Sequence, residues 1–182
     1  MGIRERIRET GESDLTDVLH IHASAFGQQE EAELVSALLA DPSAQPALSL
    51  IALTDAGPVG HILFSAARLT ESEIPYPFLI MAPLAVVPEA QGRGIGGELI
   101  ATAVRHLTKA GVALVFVLGY PQYYSRHQFE PAAKFGLAAP YPIAPEHTDA
   151  WMVRALRPGV LGSVRGTVMC ADALNKPEYW CE

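Results

Sequence analysis

A mixed α/β domain is what this sequence predicts, and three observations predict it. Two stretches near the start repeat apolar residues at helical spacing. A run of short apolar segments separated by turn residues follows, at strand period. A single strand–loop–helix–strand unit then stands in the middle, where a doubly wound sheet would repeat that unit several times. With 182 residues, 49% of them hydrophobic, the chain has the length and apolar content for one domain, spanning 1–182, with a real core.

Each element follows from local chemistry. Ile3 to Arg8 suits a short strand. Ser13 is the expected N-cap of a helix whose apolar positions are Leu15, Val18, Leu19, Ala23 and Phe26. A second helix begins at Glu30, with acid in its first turn and Pro42 beyond its end. The period then changes. Leu48 to Leu53 and Val59 to Leu69 read as two strands joined by the turn at Asp55–Pro58. The run ending at Val87 is a long apolar strand, and Pro83 within it predicts a bulge or an edge. After a glycine-rich loop, Ile95, Leu99, Ile100, Ala103, Val104 and Leu107 form one helical face, which Gly111 ends. Val112 to Leu118 is a buried type of strand. The remainder reads as loop, short helix and strand, then proline-rich chain, then strands in WMVRAL and GTVMC.

Composition narrows the function. A net charge of −7 disfavours nucleic acid as a partner and is compatible with a cationic one. The two cysteines, Cys170 and Cys181, form no disulfide framework, and no Cys/His cluster has metal spacing. The charged start is not a secretory signal, and no apolar run spans a bilayer. A soluble cytoplasmic protein that uses no metal, no nucleic acid and no membrane is expected.

The residues from Gly92 to Gly97, Gly-Arg-Gly-Ile-Gly-Gly, satisfy the dinucleotide pattern G-x-G-x-x-G. Glycines at a helix start let backbone N–H groups approach a pyrophosphate, or they serve a tight turn with close packing. The dinucleotide reading lacks its ribose-binding acid: the next strand ends in Leu118-Gly119-Tyr120, and no acid precedes Glu130. No Gly-Lys-Ser/Thr closes a P-loop.

The flank is more specific than the glycines. Leu84-Ala85-Val86, Pro88 and Gln91-Gly92-Arg93-Gly94-Ile95-Gly96 resemble the acetyl-CoA motif of the GNAT superfamily of N-acetyltransferases, in its YhbS-type branch. The early HASAFG and EEAELVSAL stretches and the late FGL and GTV stretches are similar to that branch too. The resemblance implies a single GNAT domain. It has a central, mostly antiparallel sheet with a splayed strand pair, flanked by helices. It implies acetyl-CoA as co-substrate and an amine, small-molecule or peptide, as acceptor. It implies that Gln91, Gly92, Arg93, Gly94, Ile95, Gly96 and Gly97 serve the pyrophosphate. Leu84, Ala85 and Val86 would run beside the pantetheine arm.

Acetyl transfer needs a neutral amine, a donor for the oxyanion and a proton for the leaving thiolate. The resemblance points to the Val86 N–H for the oxyanion and to Tyr124 as general acid. Tyr124 has the family spacing to Phe129, although Gln128 stands where the family has glycine. Tyr123 is its neighbour, and either tyrosine could simply be packed. Glu71, Glu73 and His61 are the candidate bases; solvated acids and a core histidine are their ordinary alternatives. His20 and His22 face different ways on their helix and do not form a metal pair. Acceptor-side residues are sought in Phe26–Glu33, Glu71–Pro77 and Tyr141–Trp151. No acyl-enzyme nucleophile is evident, so direct transfer in a ternary complex is expected. The alternative is an inactive acetyl-CoA-binding or coenzyme A-binding sensor. Homodimerisation through sheet edges is left open.

Overall fold

The computed structural model describes residues 6–181. The first strand expected from Ile3 appears as β1 (Arg6–Glu9); residues 3–5 lie outside the described residues. A 3-10 turn, Glu12–Asp14, leads into α1 (Leu15–Phe26), and α2 (Glu30–Ala40) follows. The hairpin is β2 (Leu48–Thr54) and β3 (Gly57–Leu69), and the long strand is β4 (Phe78–Val86). The glycine loop opens α3 (Ile95–Lys109), which feeds β5 (Leu114–Leu118). A one-turn helix α4 (Pro121–Tyr124) precedes β6 (Glu130–Pro131) and β7 (Leu137–Ala138). The two final strands are β8 (Trp151–Ala155) and β9 (Gly166–Cys170). A last 3-10 turn covers Pro177–Trp180.

The strands form one sheet in the order β1-β2-β3-β4-β5-β8-β6. β9 lies against the far end of β3 and pairs in turn with β7. Along the main path only β4 and β5 run parallel, as a strand–helix–strand crossover requires. Their pairing stops at Met81 and Val117, while β4 continues to Val86. The two strands therefore part, and one edge of β4 is left open. The bulge expected at Pro83 is present: Ile62 faces Leu84 and Phe64 faces Met81, so Ala82 and Pro83 together oppose Leu63.

The helices take opposite faces of the sheet. His61 of β3 reaches His22 of α1, whereas its neighbour Gly60 meets Leu99 and Ile95 of α3. A β-carbon at Gly60 would stand 3.1 Å from Leu99 Cδ1, so its absence lets α3 sit close on β3. The expected face of α3 is the buried one: Ile95, Leu99, Ile100, Ala103 and Leu107 are all in the core, with Val104 half-buried. Fully burying such side chains contributes about 1.5–3 kcal/mol each.

Two local expectations are corrected. Ser13 does not cap α1. Asp14 occupies the position, and its carboxylate turns back to accept the Gly11 N–H at 2.7 Å and both arms of Arg8 at 2.7 and 2.9 Å. A charged pair outcompetes the hydroxyl for that turn. The buried face of α1 is Val18, Ile21 and His22, and both Leu15 and Phe26 stay exposed. A histidine takes a core position here because its ring finds a partner inside. Among the described residues no helix is long and apolar enough to cross a membrane.

Candidate active site

The parting of β4 and β5 opens a cleft of about 1050 Å³. Its lining includes Leu84, Val86, Gln91, Gly92, Gly94, Ile95, Gly96 and Gly97, together with Gly119, Tyr123 and Tyr124. Of the coenzyme-binding residues expected from the sequence, Ala85 and Arg93 are not in the lining. Ala85 is buried opposite His61, and the Arg93 guanidinium turns to the Glu89 carbonyl at 3.2 Å.

The open edge of β4 has a definite polarity. Val87 donates to Val59 across the β3 ladder at 2.9 Å. Bonded and non-bonded pairs alternate in an antiparallel ladder, so Ala85 bonds β3 while Leu84 and Val86 do not. The backbone groups of Leu84 and Val86 therefore face the opening. The Val86 carbonyl is taken by the Gln91 side chain at 2.9 Å, which ties the loop to the strand end.

The glycines of the loop do two different jobs. Gly92 and Gly94 have φ of +78° and +82°, with open space where a side chain would stand, so backbone conformation calls for glycine there. Gly96 and Gly97 are ordinary first-turn residues that make room. A β-carbon on Gly96 would lie 2.6 Å from the Tyr123 hydroxyl, and one on Gly97 would lie 3.1 Å from His127 Cε1. The helix has no side-chain cap, and its first intrahelical bond is Glu98 to Gly94. The N–H groups of the turn before it point onward, and the helix dipole adds positive potential.

Tyr124 is held from both sides. Its ring lies against Gly119, where a β-carbon would collide with it, and edge-on to Phe129 and Tyr123. Its hydroxyl has no hydrogen-bond partner among the described residues, and the side chain lines the cleft. Burial first, and then the Tyr123 hydroxyl, push its phenol well above the usual range. It stays protonated. His127 is half-buried beside Tyr123, and burial, then Arg126 and Arg154, lower its pKa.

Gln128 closes the turn between Tyr124 and Phe129 at φ +67°, the left-handed region that glycine tolerates and other residues resist. Its side chain is exposed. Gln128→Gly is expected to stabilise the fold by about 0.5–1 kcal/mol. Denaturant unfolding checks this; a destabilised variant would contradict it.

The candidate bases lie elsewhere. Glu71 and Glu73 sit in the loop after β3, outside the cleft lining, and so do the segments Glu71–Pro77 and Tyr141–Trp151. His61 is fully buried in a chain of hydrogen bonds. His22 Nε2 and His61 Nδ1 are 2.7 Å apart, His61 Nε2 and Ser49 Oγ 2.7 Å, and Thr10 Oγ1 donates to Ser49 Oγ at 2.7 Å. The acids that do enter the cleft are Glu30 and Glu31, within the expected Phe26–Glu33 stretch, and Glu178, which sequence reasoning missed. No local pattern marks Glu178: it arrives through the packing of the C-terminal turns against α2. Among the described residues no cluster of His, Cys, Asp or Glu is arranged to hold a metal ion.

A glycine-opened helix start thus stands beside an open strand edge, at the point where the parallel strands separate, and the enzyme class that carries this arrangement here is that of the acetyltransferases. Residues 6–132 match the model of the acetyltransferase (GNAT) domain, and the chain belongs to the GNAT family of N-acetyltransferases. It is 47% identical over 165 residues, 90% of each chain, to the Escherichia coli K12 protein YjhQ, described as an uncharacterized N-acetyltransferase. It is 32% identical over 153 residues to YhbS of the same organism, described likewise, covering 84% of this chain and 87% of that one. A crystal structure of E. coli YhbS in complex with CoA superposes with a TM-score of 0.86 at 29% identity, covering 97% of this chain and 94% of that one. A GNAT acetyltransferase from Brucella melitensis in complex with acetyl-CoA gives 0.73 at 28%, covering 95% and 99%.

Proposed function

We propose that the chain, read as one domain over 1–182, transfers the acetyl group of acetyl-CoA to a primary amine by direct attack in a ternary complex. One observation carries the reading: the open Leu84–Val86 edge, the first-turn amides of α3 and the unpartnered Tyr124 hydroxyl all face a single cleft. The amides from Arg93 to Gly97 hold the pyrophosphate, and Gly92 supplies the turn before them. Leu84 and Val86 pair with the amide-rich pantetheine arm as a strand would. Such dependence on acetyl-CoA suits a cytoplasmic enzyme.

The neutral amine attacks the thioester carbon. The Val86 N–H receives the charge that develops on the carbonyl oxygen. As the C–S bond breaks, the Tyr124 proton passes to sulfur, and the proton shed by nitrogen passes through solvent back to the Tyr124 phenolate, which restores the acid. Calorimetric titration with coenzyme A tests the binding half of the reading. The wild type is expected to bind. Gly96→Val, which drives branched carbons into the Tyr123 hydroxyl at the phosphate turn, is expected to lose at least about tenfold in affinity. A wild-type protein that takes up neither coenzyme A nor acetyl-CoA overturns the reading.

A further inference from the structure

The fully buried side chains of α1 are Val18, Ile21 and His22, while Leu15 and Phe26 stay exposed. One anchor of the helix on the sheet is therefore a histidine, and it meets a second. His22 Nε2 and His61 Nδ1 are 2.7 Å apart, with the rings edge to face at 5.0 Å. The chain of hydrogen bonds has one direction. Thr10 donates to Ser49. Ser49 then donates to His61 Nε2, and His61 donates from Nδ1 to His22 Nε2. His22 is left with its proton on Nδ1, a buried atom with no partner among the described residues.

Two apolar side chains of the same size would seal this contact without an orphan donor. What the histidines add is a bond that a proton breaks. A proton added to His22 lands on Nε2 and sets its N–H against that of His61. One added to His61 does the same to the Ser49 hydroxyl. The elements packed on the pair bring it no countercharge. β2 offers Ser49, β4 carries no titratable side chain, and Asp17 and His20 of α1 are exposed. Below α1, Asp14 is already paired with Arg8. On α2, Glu30 and Glu31 line the cleft and Glu33 is exposed. Burial alone lowers the pKa of His22, and burial followed by the His22 charge lowers that of His61.

His22 also supports one wall of the cleft. One helical turn further on, the Phe26 ring stacks on it, 6.3 Å away and within 6° of parallel. Phe26 lines the cleft, α1 ends there, and α2 brings Glu30, Glu31 and Leu34 to the same wall. We propose that His22 positions this Phe26 wall, and that its hydrogen bond to His61 is a latch which acid releases. That the wall meets the acceptor rests on the acetyltransferase reading above. Acid then acts twice on the reaction: it charges the amine, and it frees the wall that the amine passes. The glycine turn and the open edge of β4 belong to other elements and stay in place.

The test is amide hydrogen exchange of the full chain, read by mass spectrometry at about pH 7.5 and about pH 5.5 and corrected for intrinsic rates. At both values α1 and α2 are expected to open at least about tenfold more often than α3, as a unit that comes away before the rest. Between the two values their opening should rise at least about tenfold, because a ring released to water recovers a pKa of about 6.5. His127 titrates in the same window, but it stands at Gly97 of α3 and does not leave with α1. The double variant His22→Gln and His61→Gln keeps hydrogen-bonding side chains that take up no proton. Its α1–α2 opening is expected to change by less than about threefold over the same interval. Exchange of α1 and α2 at the α3 rate overturns the proposal. So does wild-type opening that is flat with pH, or a rise that survives in the double variant. If the double variant does not fold, the two wild-type comparisons still decide the matter. None of these readouts uses coenzyme A, whose failure to bind overturns the acetyltransferase reading alone.

Discussion

Tyr124→Phe is expected to lower kcat by about 10²–10³-fold and to leave the affinity for coenzyme A within about twofold. The variant keeps the ring, so its packing against Gly119 and Phe129 survives and only the proton is lost. Because burial and the Tyr123 hydroxyl raise the Tyr124 phenol, it remains an acid across the working range of the enzyme. The loss should therefore be uniform from about pH 7 to pH 9. Both proteins should show rates rising with pH, since an amine with a pKa of about 10.4 gains roughly tenfold in neutral form per unit. Thiol-release kinetics on the two proteins check this. A kcat within about threefold of wild type would remove Tyr124 from the reaction and leave it as packing.

Acid lability is the second large effect. His22 and His61 are fully buried and share one hydrogen bond of 2.7 Å. A neutral pair suits it, with one ring donating and the other accepting; two charged rings would set N–H against N–H. His22 Nδ1 has no partner at all among the described residues. Burial lowers His22 to about 4, and burial together with the His22 charge lowers His61 to about 3. In the unfolded chain both return to about 6.5. The unfolded state then binds more protons than the native state between those values, so stability must fall as pH falls from about 6.5 towards 4. Each ring contributes on the order of 3 kcal/mol of loss by about pH 4. His127 adds to the same window in the same direction. Asp14 acts lower down. The hydrogen bonds from Arg8, then that from Gly11, take it from 3.8 to about 2, so its contribution is present above 3.8 and lost through about 2. Urea unfolding at steps between about pH 7 and pH 5 isolates the histidine window, because ordinary carboxylates titrate below it. A midpoint flat across that window, or a His22 or His61 ring that titrates near pH 6 in the folded protein, would contradict the assignment.

Much of the framework around the cleft was legible in the sequence. The glycine turn is read from its spacing, the α3 face from its period and the bulge from Pro83, and these are local facts that local chemistry states. Tyr124 came from the family resemblance, which its spacing to Phe129 fits. The rest depends on which distant segments meet. His22 and His61 lie 39 residues apart, and only the docking of α1 on β3 makes them partners. The same docking carries His61 into the core, where it serves as structure, and turns α1 so that Phe26 is exposed. Ser13 loses its expected cap to Asp14 because Arg8, on a strand, arrives to pair with it. Glu178 belongs to the cleft only because the C-terminal turns fold back across α2.

The two walls of the cleft come from stretches that lie far apart along the chain. The family match ends at residue 132 and holds the open strand edge, the glycine turn and Tyr124, whereas Glu178, Tyr179, Trp180 and Cys181 lie beyond it. Relatives nevertheless share that second stretch: alignment extends over 90% of this chain and superposition over 97% of it. A change in the C-terminal turns would therefore reshape one side of the cleft while the glycine turn and the open strand edge stay as they are.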